Sequence, residues 1–354
     1  MKKALIAMSG GVDSSVAAYL MKQAGYDCIG ATMRLFHNED AGISHEKTCC
    51  SLEDTEDARS VAYKLGIPFY VFNFTDDFTA QVIDRFVSAY ERGITPNPCI
   101  DCNRFLKFDR LYRRGRELGL DYLVTGHYAR IELYSGRYYL KKALDTAKDQ
   151  SYVLYSLSQE QLAHTQFPLG GMRKTETRCI AEEQGFVNAH KRDSQDICFV
   201  PDGDYAKIIE LHAGKRYPRG TFVDTHGNVI GEHKGIIHYT IGQRKGIGIS
   251  SSEPLYVCEK RLLDNTIELG HRSELYASSL DAADFNWIAF DAPPEKLRVK
   301  AKIRYRQDEQ WAWVFATEPN AVHVEFDLPQ RAISSGQSIV LYDGDAVVGG
   351  GTIC

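Results

Sequence analysis

The chain has 354 residues, 44% hydrophobic and 25% charged, which excludes a disordered or collagen-like protein and is too long for one ordinary domain. Lys and Arg number 42 against 47 Asp and Glu; the net charge of −5 argues against indiscriminate polyanion binding but leaves room for a local basic face. No apolar run approaches the ~20 residues that cross a bilayer, and the apolar start Ala4–Met8 runs into a glycine loop instead of a cleavage site, so a cytoplasmic protein without membrane association is expected.

In chain order, Lys3–Met8 reads as a buried strand and Ser14–Ala24 as a helix stopped by Gly25. Asp27–Phe36 is a second strand, followed by a polar stretch, His37–Cys50, with the character of a mobile loop. Ser51 and Asp54 form a capping-box pattern that opens a helix ending at Gly66. Ile67–Phe74 reads as a strand and Asp76–Tyr90 as a helix. Pro96-Asn97-Pro98 breaks the chain before a helix over about Asn103–Leu118, and Tyr122–Thr125 is a further strand closed by Gly126. This alternation predicts an α/β domain with a parallel sheet covered by helices on both faces.

Beyond about residue 205, short β-like runs such as Thr221–Asp224, Gly235–Ile241 and Leu255–Glu259 take over. A second β unit starts near Asp281. Its last hairpin turns at Asp343-Gly344 between Ile339–Tyr342 and Ala346–Val348. The expected layout is one α/β domain over 1–205, a small β domain over 206–280 and a second, C-terminal β domain, expected as a barrel, over 281–354.

The turn after the first strand, Ser9-Gly10-Gly11-Val12-Asp13-Ser14-Ser15, has the chemistry of a phosphate cradle. Glycines at a helix mouth admit phosphate oxygens to backbone N–H groups, and Ser9, Ser14 and Ser15 add hydroxyl donors. Asp13 would repel phosphate, so it suits holding Mg²⁺ or capping the helix. Neither a Walker pattern nor a dinucleotide fingerprint is present. The segment resembles the SGGxDS loop of ATP-dependent adenylating enzymes of the pyrophosphate-loop, adenine-nucleotide α-hydrolase-like class, in which ATP is cleaved between its α- and β-phosphates.

Nine cysteines in a large chain of this kind read as reactive or metal-binding groups before they read as a disulfide framework. Cys28, Cys179 and Cys258 read as small buried hydrophobes, and Cys49-Cys50 as a surface pair. Cys99-Ile100-Asp101-Cys102 places two thiols at a helix entry, where the backbone dipole favours thiolate. A zinc half-site, a redox pair, iron–sulfur ligation and sulfur transfer all remain open on this pattern; a four-thiolate zinc site lacks its second pair, since Cys198 supplies only a third ligand.

Together the glycine loop, Asn97-Pro98, Cys102, Ser194…Cys198-Phe199, Gly126-His127-Tyr128-Ala129, Lys148-Asp149-Gln150-Ser151-Tyr152 and Tyr239–Gly246 resemble the tRNA-specific 2-thiouridylase family along the whole chain. The resemblance implies ATP binding by Ala7, Met8, Ser9, Gly10, Gly11, Val12, Asp13 and Ser14, with Met33 and Gly126 lining the nucleotide pocket. It further implies that the enzyme adenylates the C2 oxygen of the wobble uridine in the tRNA anticodon loop. Cys198 would carry a persulfide supplied by a sulfur-relay protein or cysteine desulfurase, and Cys102 would release sulfide or close a Cys102–Cys198 disulfide.

Asn97, Pro98 and Cys99 would form the target-base pocket. Many family members carry Asp in place of Cys99, and the third thiol opens an alternative in which Cys99, Cys102 and Cys198 hold a [4Fe–4S] cluster. A different class of reading, a pyrophosphate-loop synthetase acting on a small molecule, would have no use for Cys102 and Cys198.

Leu297–Arg306 alternates strictly, setting Arg298, Lys300, Lys302, Arg304 and Arg306 on one strand face, a natural phosphate-contacting row. Arg104, Lys107, Arg110, Arg113, Arg114 and Arg116 make a second basic run after the CxxC. By the family resemblance, tRNA contacts fall on His127, Lys148, Asp149, Gln150, Arg304, Tyr305 and Gln337.

Overall fold

The computed structural model describes residues 1–36, 52–193, 197–200 and 203–354. The expected loop His37–Cys50 with its Cys49-Cys50 pair, and the capping residue Ser51, lie outside the described residues, as does Ser194.

The first layer is a five-stranded parallel sheet in the order Phe69–Asn73, Asp27–Arg34, Lys3–Ala7, Tyr122–Val124, Thr165–Gln166. Leu5, Ile6 and Ala4 are almost fully buried on the central strand, because helices cover both faces of the sheet. Val12–Gln23, Leu52–Leu65 and Lys174–Glu183 supply apolar residues such as Val16, Ala62 and Ala181 to one such face. The central strand is also the switch point of the sheet. The chain leaves it towards Asp27–Arg34 on one side, and Tyr122–Val124 lies on the other, so a crevice opens at the carboxyl ends of the two.

Two β units follow. Tyr256–Arg261, Thr266–Gly270, Gly220–Val223 and Val229–His233 form a four-stranded sheet. The strands from Tyr276–Trp287 to Ala346–Ile353 close into a six-stranded barrel, since the first pairs with both Ala321–Arg331 and the last. The hairpin at Asp343-Gly344 is present between Ser338–Asp343 and Ala346–Ile353.

Three expectations change. Gly235–Ile241 contains only a short 3₁₀ turn, Ile236–His238, because Gly235 takes φ +130° and turns the chain. The helix expected from Asn103 starts five residues earlier, at Pro98, where proline tolerates the first helical position and Asn97 caps it through Cys99 N–H. The hairpin Ala129–Tyr134/Arg137–Lys142, which alternation alone did not disclose, leaves the first layer and joins the barrel sheet at Ala346↔Lys141. Arg130 fastens it to Asp345 at 2.6 Å.

Candidate functional site

The Val12–Gln23 helix starts in the crevice mouth with Gly11 as its cap and no side chain closing the first turn, so its leading N–H groups are offered to a ligand. The loop before it is pinned from behind. Asn188 Nδ2 donates to Gly10 O at 2.8 Å and to Ser15 Oγ at 2.9 Å, while Ser14 Oγ donates to Gly11 O at 3.0 Å. Two glycines here are obligatory. Gly10 has φ +77°, and a Cβ there would lie 2.2 Å from Asp54 O. A Cβ on Gly126 would stand 2.8 Å from Asp13 C and Ser14 N, so only glycine lets the strand end at Val124 close against the loop. Met8 and Val12 are buried beneath the loop, Ala7 and Met33 are half-buried, and Ser9 is exposed.

Asp13 is partly exposed, but its carboxylate is already paired. Lys174 Nζ reaches both of its carboxylate oxygens at 2.7 Å, and Tyr128 OH donates to Oδ1 at 2.8 Å. Lys174 also contacts Asp193 at 2.8 Å, and Asp193 takes further bonds from Lys148 at 2.8 Å and Arg178 at 2.9 Å. Burial alone would raise the Asp193 carboxyl, but the bonds from Lys148 and Lys174 win and bring its pKa down to about 2. Sequence reasoning missed Lys174, Tyr128, Asp193 and Asn188. Asp193 directly precedes the Ser194…Cys198 stretch and offered a local signal; Lys174 had none, because only folding brings it to the loop.

Cys102 and Cys198, far apart along the chain, pack against one apolar cluster that includes Phe78, Phe86 and Phe199. Both are partly buried, and Cys99 is exposed. Cys102 sits in the second turn of its helix, where wide π-type geometry runs over Cys102–Leu111, an irregularity common at functional sites. The dipole of the first turn therefore acts on Cys99 more than on Cys102. Of the cysteines expected to be structural, Cys28 is buried and Cys258 half-buried, and burial pushes both thiols up to about 11. Cys179 is exposed, contrary to expectation, because it falls on the outer face of Lys174–Glu183.

Asp101, between the two thiols of the CxxC, is driven up to about 6 by burial, against the opposing pull of Arg85 and Arg104. An acid with a raised folded pKa makes the fold lose stability as pH rises from its unfolded value of about 4 towards 6. Asp101→Asn is expected to remove this penalty. Its stability relative to the parent chain should rise by about 2 kcal/mol across that pH window in urea unfolding, and a difference that does not vary with pH would exclude it.

The residues assigned by resemblance to the target base and the tRNA converge at the seam between layers. Gln337 Nε2 donates to Thr95 O at 2.9 Å, two residues before Asn97, and Thr95 N donates to Ser335 O at 3.0 Å. Tyr305 OH donates to Asp149 O at 3.0 Å and meets the Tyr152 ring edge-on at 5.9 Å, and burial, then the charges of Asp149 and Cys99, push its phenol up. Asp149 turns inward, accepting from Ser151 Oγ at 2.8 Å and from Ala143 N at 3.0 Å. Gln150 clips Tyr128 N–H at 2.9 Å. Pro98 is buried in the first turn of the cysteine helix.

Two of these residues face inward. His127 is buried, bonded to Thr125 Oγ1 at 2.7 Å, and burial followed by the charge of Lys107 pushes its pKa down, so it is a neutral core imidazole. Arg304 is half-buried, donating to Ala332 O and, at 3.3 Å, to Ser334 Oγ.

Both basic rows are more neutralised than the sequence suggests. Arg104 pairs with Asp284, Arg110 with Asp77 at 2.9 Å, Arg113 with Asp109 at 2.6 Å and Arg114 with Glu117 at 2.8 Å. On the barrel strand, Arg298 pairs with Asp327 and lies over Trp311 and Trp313, at 5.2 Å from each ring. The strand, Lys296–Lys302, contains no acid, as expected, but it stops short of Arg304 and Arg306, which fall in the turn beyond it, and the strand two places away in the sheet provides an acid.

Comparison with known proteins gives the same outline. A family model described as the tRNA methyl transferase HUP domain matches residues 2–202. A tRNA methyl transferase PRC-barrel domain matches 206–271 and an aminomethyltransferase beta-barrel domain matches 277–353. A protein of Clostridioides difficile (strain 630) named tRNA-specific 2-thiouridylase MnmA is 52% identical over 354 residues, 99% of this chain and 98% of its own. Proteins of the same name from Acetivibrio thermocellus and Clostridium acetobutylicum are 50% and 49% identical, each over 99% of both chains. A parallel sheet with a glycine loop at its switch point, two thiols on one adjoining core, and similarity along nearly the full length lead to one conclusion: the chain belongs to the tRNA-specific 2-thiouridylase family.

Proposed function

We infer that this chain is a tRNA-uridine 2-sulfurtransferase, which uses ATP to replace the C2 oxygen of the wobble uridine with sulfur. The observation that carries the reading is a glycine loop at the sheet switch point in a chain whose Cys102 and Cys198, far apart in sequence, pack on one apolar cluster. The three-part division at 1–205, 206–280 and 281–354 accords with this, the first part binding ATP and the last contacting tRNA.

In this reading the open first turn of Val12–Gln23, with Ser9 and Ser14, binds the phosphates of ATP, and Met33 and Gly126 border the nucleotide. The uridine C2 oxygen attacks the α-phosphorus and pyrophosphate leaves. The terminal sulfur of a Cys198 persulfide then attacks C2 and AMP departs. The Cys102 thiolate attacks Cys198 Sγ, freeing the thiocarbonyl and closing a Cys102–Cys198 disulfide that an external thiol reduces. A sulfur-relay protein or cysteine desulfurase reloads Cys198. Asn97 caps the turn that presents Cys99 to the base, while Gln337 and Tyr305 brace that turn and the Lys148-Asp149-Gln150 segment. His127 and Arg304 support the tRNA surface from within.

Asp13 and the loop hydroxyls are hard oxygen donors of the kind Mg²⁺ accepts beside substrate phosphates, and Mg²⁺ would supply charge neutralisation there. A [4Fe–4S] cluster fits less well. Among the described residues, no three His, Cys, Asp or Glu side chains are grouped to hold a metal, so no step passes through one. Among the described residues, too, no helix is long and apolar enough to cross a membrane. Methyl transfer, the wording of the family description, would leave both the phosphate loop and the paired thiols without a task.

The test is nucleoside mass spectrometry after the full chain is incubated with ATP, Mg²⁺, unmodified tRNA, a cysteine desulfurase with cysteine as the persulfide source, and a thiol reductant. Appearance of 2-thiouridine at the wobble position, with an enzyme free of iron and visible absorbance, is the expected result. Persistent uridine would overturn the reading, and activity that requires iron would restore the cluster scheme.

A further inference from the structure

The outer face of the C-terminal barrel sorts its side chains by strand. Lys296–Lys302 pairs antiparallel with Gln310–Glu318, which sets Lys296, Arg298 and Lys300 opposite Phe315, Trp313 and Trp311. Gln310–Glu318 pairs in turn with Ala321–Arg331, setting Trp313 opposite Glu325 and Phe315 opposite His323, and Tyr276–Trp287 adds Asp281 opposite His323. Alternation sends Val299, Ala312, Val314 and Val324 into the core, so the residues between them point outward. A basic, an aromatic and an acidic column therefore stand side by side.

Two of the three tryptophans of the chain are in the aromatic column, Trp311 50% and Trp313 37% exposed. Adjacent exposed rings of this size mark a contact surface. The cations stiffen the column without burying it. Lys296 lies 4.1 Å from the Trp313 ring centre, Arg298 5.2 Å from both indoles and Lys300 5.5 Å from Trp311. Rigid tryptophans flanked by arginine are the anchors that protein interfaces favour.

The charges select the partner. Lys296, Arg298 and Lys300 are matched in number by Asp281, Glu325 and Asp327, so the face has little net charge with which to draw phosphates and release counterions. Lys302 lies outside the patch, over the buried Tyr342 ring at 6.0 Å. Pairing within the face is incomplete. Arg298 crosses to Asp327, and His323 Nδ1 holds Asp281 at 2.7 Å. Among the described residues, Lys296 and Lys300 pair with no carboxylate, and Glu325 has only His323, at 3.8 Å. Lysines and glutamate sit on opposite sides of the tryptophans. A two-fold axis running along the aromatic column would lay the basic column of one copy on the acidic column of another, and indole on indole.

We propose that this face joins two copies of the chain in a two-fold dimer, with Trp311 and Trp313 at its centre and Lys296 and Lys300 of each copy turned to the acidic column of the other. The sequence pattern of the strand suggested a phosphate row; the neighbouring strands make the face complementary to itself.

Sedimentation equilibrium of the full-length protein over a concentration series tests it. The parent is expected to show a reversible monomer–dimer equilibrium, and Trp311→Ala and Trp313→Ala should each weaken association by about thirtyfold, as for central interface anchors. Lys296→Glu/Lys300→Glu and Glu325→Lys/Asp327→Lys should each be monomeric alone. Mixed in equal amounts they should associate again, because the two-fold arrangement then sets acid against base at both edges. A parent that stays monomeric throughout, tryptophan variants that dimerise as the parent does, or a mixture that fails to associate would overturn the proposal. Should a charge-reversed variant fail to fold, the tryptophan variants decide, since they only shorten exposed side chains. A monomeric parent whose affinity for unmodified tRNA falls in Trp311→Ala would assign the face to RNA instead.

Discussion

Cys198→Ser is expected to lower tRNA thiolation by about four orders of magnitude, because a hydroxyl cannot carry a transferable sulfur. Pyrophosphate release dependent on tRNA should survive in the same variant, since the phosphate loop and Cys198 belong to different clusters of the fold. Cys102→Ser should behave similarly under single-turnover conditions, with one difference. Without its attacking thiolate, the sulfur bridge between Cys198 and the base would persist, so a protein–tRNA adduct cleavable by thiol reductant should accumulate. Parallel assays of thionucleoside, pyrophosphate and adduct check all three statements. Simultaneous loss of pyrophosphate release in both variants would show that the thiols serve activation itself.

The second large effect concerns two adjacent glycines. Gly10→Ala places a methyl 2.2 Å from Asp54 O on a backbone with φ +77°, so the start of the Leu52–Leu65 helix must move. Overpacking and left-handed strain together should cost about 2–4 kcal/mol, visible as a fall in Tm and loss of ATP binding. Gly11 has φ −88°, and a Cβ there would meet only Ser9 Oγ at 3.4 Å. Gly11→Ala should therefore leave Tm nearly unchanged and act on nucleotide affinity alone, by crowding the approach of phosphate to the backbone. Equal falls in Tm for the two variants would contradict this division of labour.

Much of the site was legible before any coordinates. A buried strand followed by Ser9-Gly10-Gly11 and a helix is a local pattern, and so is a CxxC beside Pro98. Asp343-Gly344 between alternating runs fixed a hairpin by turn chemistry alone. The charged rows show where such reading stops. Arg298 through Arg306 alternates as the period of a strand requires, yet the strand ends at Lys302, Asp327 neutralises Arg298 from two strands away, and Arg304 turns in to Ala332 and Ser334. His127, beside the obligatory Gly126, is likewise an inward residue.

What the sequence alone determined were features set by neighbours within a few residues: the glycine loop, the helix break at Pro98, the CxxC beside it and the alternation of the first layer. Tertiary structure alone decided that Lys174 bridges Asp13 and Asp193, that Gln337 reaches the backbone before Asn97, and that the 129–142 hairpin joins the barrel. The reason is physical. Period and propensity act over one or two turns of chain, whereas buried charges and cross-layer hydrogen bonds choose their partners only when distant segments have been brought out of water together.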